Sequence, residues 1–269
     1  TPGLVGNVGV GTASVGVYGS AGNLTSYHGK VGGKVLFDGM SILNTNAGDG
    51  AVSYIVAGAN VEEMTLETGG ASAESSVAGF STNVIPKEGG NEFRFSAFGL
   101  FTNDSLMSDN LTDELRARGL KTVNKVLNAY DATASLGGPI KRNRLWFFAT
   151  SRYTGTNNQW AGSFWNKVQG TGFYEPDLNR PGYRKEQLWA GGARLTWQAS
   201  ARNKVGVFAD TQHNVSGGFQ PFLADAPETI EGFDFWPMGL YQVTWNSPVT
   251  SRLLIEAGTS WHINHWPTF

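Results

Sequence analysis

The sequence predicts a mainly β chain: a compact unit of small strands over residues 1–88, then antiparallel strands of a transmembrane β-barrel over residues 89–269. Three observations carry that prediction. Seven β-like stretches follow residue 92, and the connections between them alternate long and short. Along most of those stretches every second residue is apolar, the period of a sheet with two unlike faces. Charged residues make up 16% of the chain, against roughly 25% in soluble domains, while it holds 36 glycines and 9 tryptophans. A soluble sandwich rarely gathers its long loops at one end. An outer-membrane barrel does, with brief turns on one side and long loops on the other.

In chain order, the first unit offers short β-like pieces at 31–37, 52–56, 61–68 and 80–85, separated by turns rich in Gly, Ser and Asn. No long amphipathic helix interrupts them. Residues 87–91 (Lys-Glu-Gly-Gly-Asn) form a turn and a boundary. Candidate barrel strands follow at 93–102, 129–138, 145–153, 188–198, 205–212, 239–245 and 252–261. The connections 139–144, 199–204 and 246–251 are brief; 103–128, 154–187 and 213–238 are long. Within the first long one, Thr112 is placed to cap a short helix over 113–119.

Parity then assigns faces. Tyr130, Ala132, Ala134 and Leu136 share one side against Asp131, Thr133 and Ser135. Leu145, Phe147, Ala149 and Tyr153 oppose Thr150 and Arg152. Trp189, Ala193, Leu195 and Trp197 oppose Arg194 and Thr196, and Leu253, Ile255, Ala257 and Trp261 oppose Arg252, Glu256 and Ser260. A soluble sheet with one wet face alternates in the same way. Aromatics near the ends of the apolar faces (Tyr153, Trp189, Trp197, Trp245, Trp261) favour the membrane, where such residues form interfacial belts.

Composition also excludes. With no cysteine, neither disulfides nor thiolate metal sites are possible. A net charge of −2 gives no nucleic-acid footprint. No apolar run is long enough for a spanning helix, and a barrel needs none. The sequence opens at Thr1 with no charged n-region and apolar h-region, so no signal peptide is visible in it. Gly9-Val10-Gly11 lacks the strand–helix frame of a dinucleotide loop. His262 and His265 read as interfacial or loop histidines beside Trp261 and Trp266, and no catalytic constellation stands out.

The stretch Val61-Glu62-Glu63-Met64-Thr65-Leu66-Glu67-Thr68-Gly69-Gly70, followed by Gly79-Phe80-Ser81-Thr82-Asn83-Val84-Ile85-Pro86-Lys87-Glu88-Gly89-Gly90-Asn91, resembles the end of the plug in TonB-dependent outer-membrane receptors. Val35-Leu36-Phe37-Asp38-Gly39-Met40 is similar to an earlier strand and turn of that plug. Leu136-Gly137-Gly138-Pro139-Ile140-Lys141-Arg142-Asn143-Arg144-Leu145-Trp146-Phe147-Phe148 resembles a periplasmic hairpin of the Oar-like, carboxypeptidase-regulatory-domain branch. The resemblance implies that 1–88 is a partial plug and 89–269 the first seven strands of a larger barrel, the sequence being a piece cut at both ends. It implies the outer membrane of a Gram-negative bacterium and uptake of a scarce extracellular ligand. It implies energy from a TonB–ExbB–ExbD complex, engaged through a segment expected before Thr1, and contact with membrane lipid. No enzyme activity and no cofactor are expected.

Candidate site residues follow from both readings. Trp160, Phe164, Trp165, Phe219 and Phe222 lie in expected outer loops, where aromatics can grip a ligand or pack on one another. Arg94, Arg152, Arg194 and Glu256 face the lumen by parity, for a polar network with the plug. Asp104, Asp109 and Asp113 sit in an oxygen-rich loop of the kind that can hold Ca²⁺, although the spacing fits no EF-hand. Two rival functions remain: a non-transporting surface or adhesion protein of the same fold, and a soluble all-β carbohydrate-binding or hydrolytic domain.

Overall fold

The computed structural model describes residues 4–6, 24–27, 30–31, 33–42, 54–67, 80–108, 110–120, 122–217 and 226–269. Three short strands, β1 (Leu4–Gly6), β2 (Leu24–Tyr27) and β3 (Lys30–Val31), form a small sheet. A second sheet holds β4 (Gly33–Phe37), β5 (Met40–Ser41), β6 (Val61–Glu67) and β7 (Phe80–Pro86) in the order β5-β4-β7-β6, with β4 and β7 parallel. Asp38 and Gly39 close the β4–β5 hairpin at φ 51° and 77°. Positive φ at both centre positions matches the strand twist of a two-residue turn, and Asp and Gly tolerate it. Asn83 Oδ1 accepts the Gly39 N–H at 3.0 Å.

The large sheet is a seven-stranded antiparallel meander in strict chain order: β8 (Arg94–Asn103), β9 (Lys125–Lys141), β10 (Leu145–Asn166), β11 (Pro176–Gln198), β12 (Lys204–Gly217), β13 (Phe233–Thr250) and β14 (Leu253–Asn264). The mainly β fold class and the seven strands are as the sequence predicts. Their outer ends are not. β10 and β11 run for 22 and 23 residues and pair out to Gln159 and Tyr183 before the register shifts. The connection expected over 154–187 therefore shrinks to 167–175. Residues 154–158 and 183–187 are polar on both faces, so they lose the period-2 signal while their backbones keep the ladder. The first long connection carries α1 (Asp113–Ala117), whose first turn is capped by Thr112 Oγ1 accepting from Leu115 N–H at 3.3 Å.

The sheet has two unlike faces. Leu136, Trp189, Leu195, Trp197, Val207, Val243, Trp245, Ile255 and Trp261 point outward and are exposed. The inner face meets the four-stranded unit. Val35, Phe37, Ile42, Tyr54 and Val84 pack with Phe208 of β12 and Leu240 of β13 in one buried cluster, with Phe37 and Phe208 ring centroids 4.8 Å apart. Ile55, Leu188, Phe235 and Met238 form a second. Each buried aliphatic or Phe side chain there contributes roughly 1.5–3 kcal/mol. Both clusters lie against β11–β13.

Candidate functional site: the interface between the small unit and the inner barrel face

Polar side chains of the inner face fasten backbone and carboxylates of the small unit. Gln212, fully buried, accepts the Ile55 N–H through Oε1 at 3.1 Å and donates from Nε2 to the Ile55 carbonyl at 2.7 Å. It thus pairs with that peptide group as a neighbouring strand would. The same Nε2 reaches Asp210 Oδ1 at 3.0 Å. Gln242 donates to the Phe37 carbonyl at 3.1 Å, and Thr150 Oγ1 donates to Asn60 Oδ1 at 2.6 Å. Tyr54 stands beside Asp210 and Gln212; burial, then the neighbouring Asp210 carboxylate, holds its hydroxyl well above the ordinary value.

An ionic clasp sits nearer the short turns. Arg194 Nη1 reaches Asp38 Oδ2 at 2.8 Å and Nη2 reaches Glu88 Oε1 at 3.2 Å. Lys204 Nζ holds the other Glu88 oxygen at 2.7 Å. Gly206 makes room: a Cβ there would lie 2.6 Å from Thr244 Oγ1 and 3.2 Å from Arg194 Nη2. Asn91 Oδ1 accepts from Asn143 N and from Trp146 Nε1, each at 2.8 Å, binding the linker to the 142–144 turn. Farther along the inner face, Arg152 makes a bidentate pair with Asp131, closest at 2.6 Å.

The architecture, a small mixed sheet seated inside a meander of barrel strands, recurs in solved structures. A structure of the ferric enterobactin receptor PfeA from Pseudomonas aeruginosa superposes with TM-score 0.61 over 97% of this chain and 36% of the receptor, at 14% identity. The siderophore receptor PirA from Acinetobacter baumannii gives 0.55 over 85% of this chain and 31% of that one, at 16% identity. In sequence, 92 residues are 34% identical to the TonB-dependent transporter Oar of Myxococcus xanthus, covering 33% of this chain and 8% of Oar. The fold is that of the TonB-dependent receptors. No family model matches the chain. It spans about a third of the length of the solved receptors it matches, and the proteins it resembles are named as receptors and transporters.

In receptor terms the small unit is the plug, and the residues expected to act fall unevenly. Arg194 lies within the clasp. Arg152 pairs with Asp131 of the barrel, not with the plug. Arg94 is 86% exposed, 4.0 Å from Glu92, and Glu256 is exposed on β14 with no ion pair among the described residues. Trp160, Phe164 and Trp165 belong to β10 rather than to a loop. Phe164 is buried, and Trp165 lies under the Arg180 guanidinium at 5.0 Å, so strand pairing has absorbed what the sequence offered as loop aromatics. Phe219, Phe222 and Asp109 lie outside the described residues, as does Gly9-Val10-Gly11. Asp104 sits in a 3-10 turn and Asp113 at the start of α1, and no cluster of three metal-type ligands exists among the described residues.

The sequence did not point to Asp38, Glu88, Asn91, Asp131, Gln212 or Gln242. The Asp38-Gly39 turn and the Glu88–Asn91 linker were visible as turns only. At the outer end, the aromatics offered to solvent include Phe173, 81% exposed, and Tyr174, in the turn 167–175. They border a cavity of about 520 Å³ whose other walls include Asn166, Gln169, Glu228 and Thr229.

Proposed function

We propose that this chain supplies the plug and seven consecutive barrel strands of an outer-membrane receptor that takes up a scarce extracellular ligand, driven by a TonB–ExbB–ExbD complex. The carrying observation is the contrast between the sheet's faces: the inner one binds a plug through Gln212, Gln242 and Arg194, while the outer one exposes a continuous apolar surface. On β11 that surface runs from Trp189 to Trp197. Eight residues at ~3.3 Å each make about 26 Å of strand, or about 20 Å of membrane at a barrel tilt near 40°. Aromatics at both ends match interfacial girdles. The hydrophobic plug–barrel core, held by a handful of polar bonds, suits a plug that is stable at rest and moves under load.

The test is expression of the full-length protein in a Gram-negative host, with fractionation and with photo-crosslinking to TonB from its N-terminal region. Recovery in the outer membrane with a TonB crosslink is the expected result. Outer-membrane recovery without the crosslink favours a surface or adhesion role. Recovery in the soluble fraction without detergent overturns the barrel reading altogether.

A further inference from the structure

Resting on the receptor reading above, we infer that the short-turn end of the barrel is a docking rim for anionic phospholipid headgroups of the membrane's inner leaflet. Arg142, Arg144, Arg202 and Arg252 hold the headgroups where the sheet leaves the membrane.

The two ends of the sheet treat their charges differently. The turns 142–144, 199–203 and 251–252, with the strand ends beside them, carry Lys141, Arg142, Arg144, Arg202, Lys204 and Arg252 and no carboxylate. Lys204 is engaged by Glu88. The other five cations are exposed, and none has an ion-pair partner among the described residues. Carboxylates of the plug and linker at this end are engaged elsewhere: Asp38 and Glu88 by Arg194, Glu92 by Arg94. At the opposite end cations are matched locally, Arg116 with Asp113, Arg118 with Glu114 and Lys167 with Glu175. Unmatched cations along one rim favour an anionic surface against it, each worth roughly fivefold in affinity.

Position selects lipid among the possible anions. Ile140, Trp197, Trp245 and Leu253 close the outward apolar face at this end, and all are exposed. Trp197 pairs with Leu145, so Arg144 follows directly outside that girdle residue. Trp245 Nε1 donates to Asn203 Oδ1 at 3.0 Å, which fixes the other girdle ring to the neighbour of Arg202. The guanidinium groups therefore begin where the aromatic band stops, at headgroup depth. An arginine placed there lays its stem on apolar surface and offers a planar fork to phosphate. Strands ~4.8 Å apart put successive short turns about 10 Å from one another, a row that meets neighbouring headgroups instead of one.

The turns that present these side chains are internally bonded. Gln198 N donates to the Arg144 carbonyl at 2.7 Å, and Gln198 Nε2 donates to the Ser200 carbonyl at 2.7 Å. Asn203 Nδ2 donates to Ser200 Oγ at 2.8 Å, and Arg252 N to Thr250 Oγ1 at 3.2 Å. The backbone is thus set before a headgroup arrives, and contact orders side chains only.

The test uses full-length receptor purified in detergent and incubated with equimolar phosphatidylglycerol and phosphatidylethanolamine. After desalting, retained phospholipid is extracted and counted by mass spectrometry. The expected result is several-fold enrichment of phosphatidylglycerol, abolished by a wash in 1 M NaCl, where the screening length falls to about 3 Å. The combined variant Arg142→Gln, Arg144→Gln, Arg202→Gln, Arg252→Gln should lose the enrichment, while Arg116→Gln with Arg118→Gln should keep it. Equal retention of the two lipids by native receptor, or enrichment that survives the fourfold variant, overturns the assignment. Binding of native receptor to purified peptidoglycan sacculi without lipid enrichment also overturns it and gives the rim to the cell wall. Cell fractions from the same cultures separate the two readings. Native receptor in the outer membrane without lipid preference sinks the rim alone, whereas its recovery in the soluble fraction sinks the receptor reading beneath it.

Discussion

Gln212→Glu is the sharpest probe of how the plug is held, because it changes two hydrogens and almost no volume. In the native protein Nε2 donates to the Ile55 carbonyl at 2.7 Å and to Asp210 Oδ1 at 3.0 Å, while Oε1 accepts the Ile55 N–H at 3.1 Å. A carboxylate at 212 keeps the last bond and loses the other two. It leaves the Ile55 carbonyl without this partner and sets a second anion against Asp210. Leaving a buried acceptor unsatisfied costs about 1–3 kcal/mol, so two lost donations should lower the free energy of local opening by about 2–4 kcal/mol. At ~1.4 kcal/mol per tenfold, amides of residues 54–60 should exchange about 30- to 700-fold faster in hydrogen–deuterium exchange of the detergent-solubilised full-length protein. The β10 and β11 amides should not change. Asp210→Asn added to Gln212→Glu returns one donor to the pair, so the double variant should regain at least about tenfold of the lost protection. Exchange of 54–60 within threefold of native in the single variant, or no coupling in the double, would refute the claim that this amide bridge holds the plug.

Three further outcomes follow. Arg194→Met removes both ion pairs to Asp38 and Glu88, but these carboxylates are 24% and 33% exposed and Lys204 still holds Glu88. The cost should be about 1–2 kcal/mol after solvent screening, read as faster exchange of residues 36–40 and 87–92 with unchanged strands β12 and β13. Leu195→Arg on the outward face should cost about 2–4 kcal/mol at mid-membrane depth and lower outer-membrane recovery, as should Phe147→Arg; full insertion of both would count against a lipid-facing sheet. Tyr54 is raised above its ordinary value of 10.0 by burial and by Asp210, so its contribution is complete below that value and is lost as pH climbs through the folded value. Alkaline titration followed by exchange of 54–60 should therefore loosen the plug above pH ~10, and Tyr54→Phe should blunt that loosening; an identical profile in the variant would exclude Tyr54 as the cause.

How much of this was legible in the sequence depends on whether the signal is periodic or pairwise. The outward row of Trp189, Leu195, Trp197, Val207 and Trp245 is written at period 2, because one face is apolar and exposed while the other packs on the small unit through mixed apolar and polar side chains. The Asp38-Gly39 turn and the Thr112 cap are local and equally readable. Strand ends beyond the apolar band were not, since Thr154–Asn158 and Tyr183–Gln187 are wet or polar on both sides while their hydrogen bonds continue. Nor were the plug contacts. Gln212 lies 157 residues from Ile55, and Gln242 lies 205 from Phe37. Parity gives a residue its face and gives it no partner, and a Gln on the inner face of a barrel strand looks the same whether it binds backbone or water.

The continued ladder at the outer end changes what its aromatics can do. β10 and β11 carry their pairing well past Trp189 and then close over the short turn 167–175. Asn166 organises that turn: its Oδ1 accepts from Val168 N and Glu175 N at 3.1 and 2.9 Å, and its Nδ2 donates to the Phe173 carbonyl at 2.8 Å. Glu228, from across the cavity, accepts the Asn166 N–H at 3.0 Å, and Tyr174 donates to the Phe164 carbonyl at 2.9 Å. Phe173 and Tyr174 are thus held out on a hydrogen-bonded hairpin instead of being carried by a long free loop. A partner that meets them need not order two dozen residues first, and the entropy of loop closure drops out of the cost of contact. Ser substitution of Asn166 would loosen that platform without removing either ring, which separates the contribution of the aromatics from that of the turn that presents them.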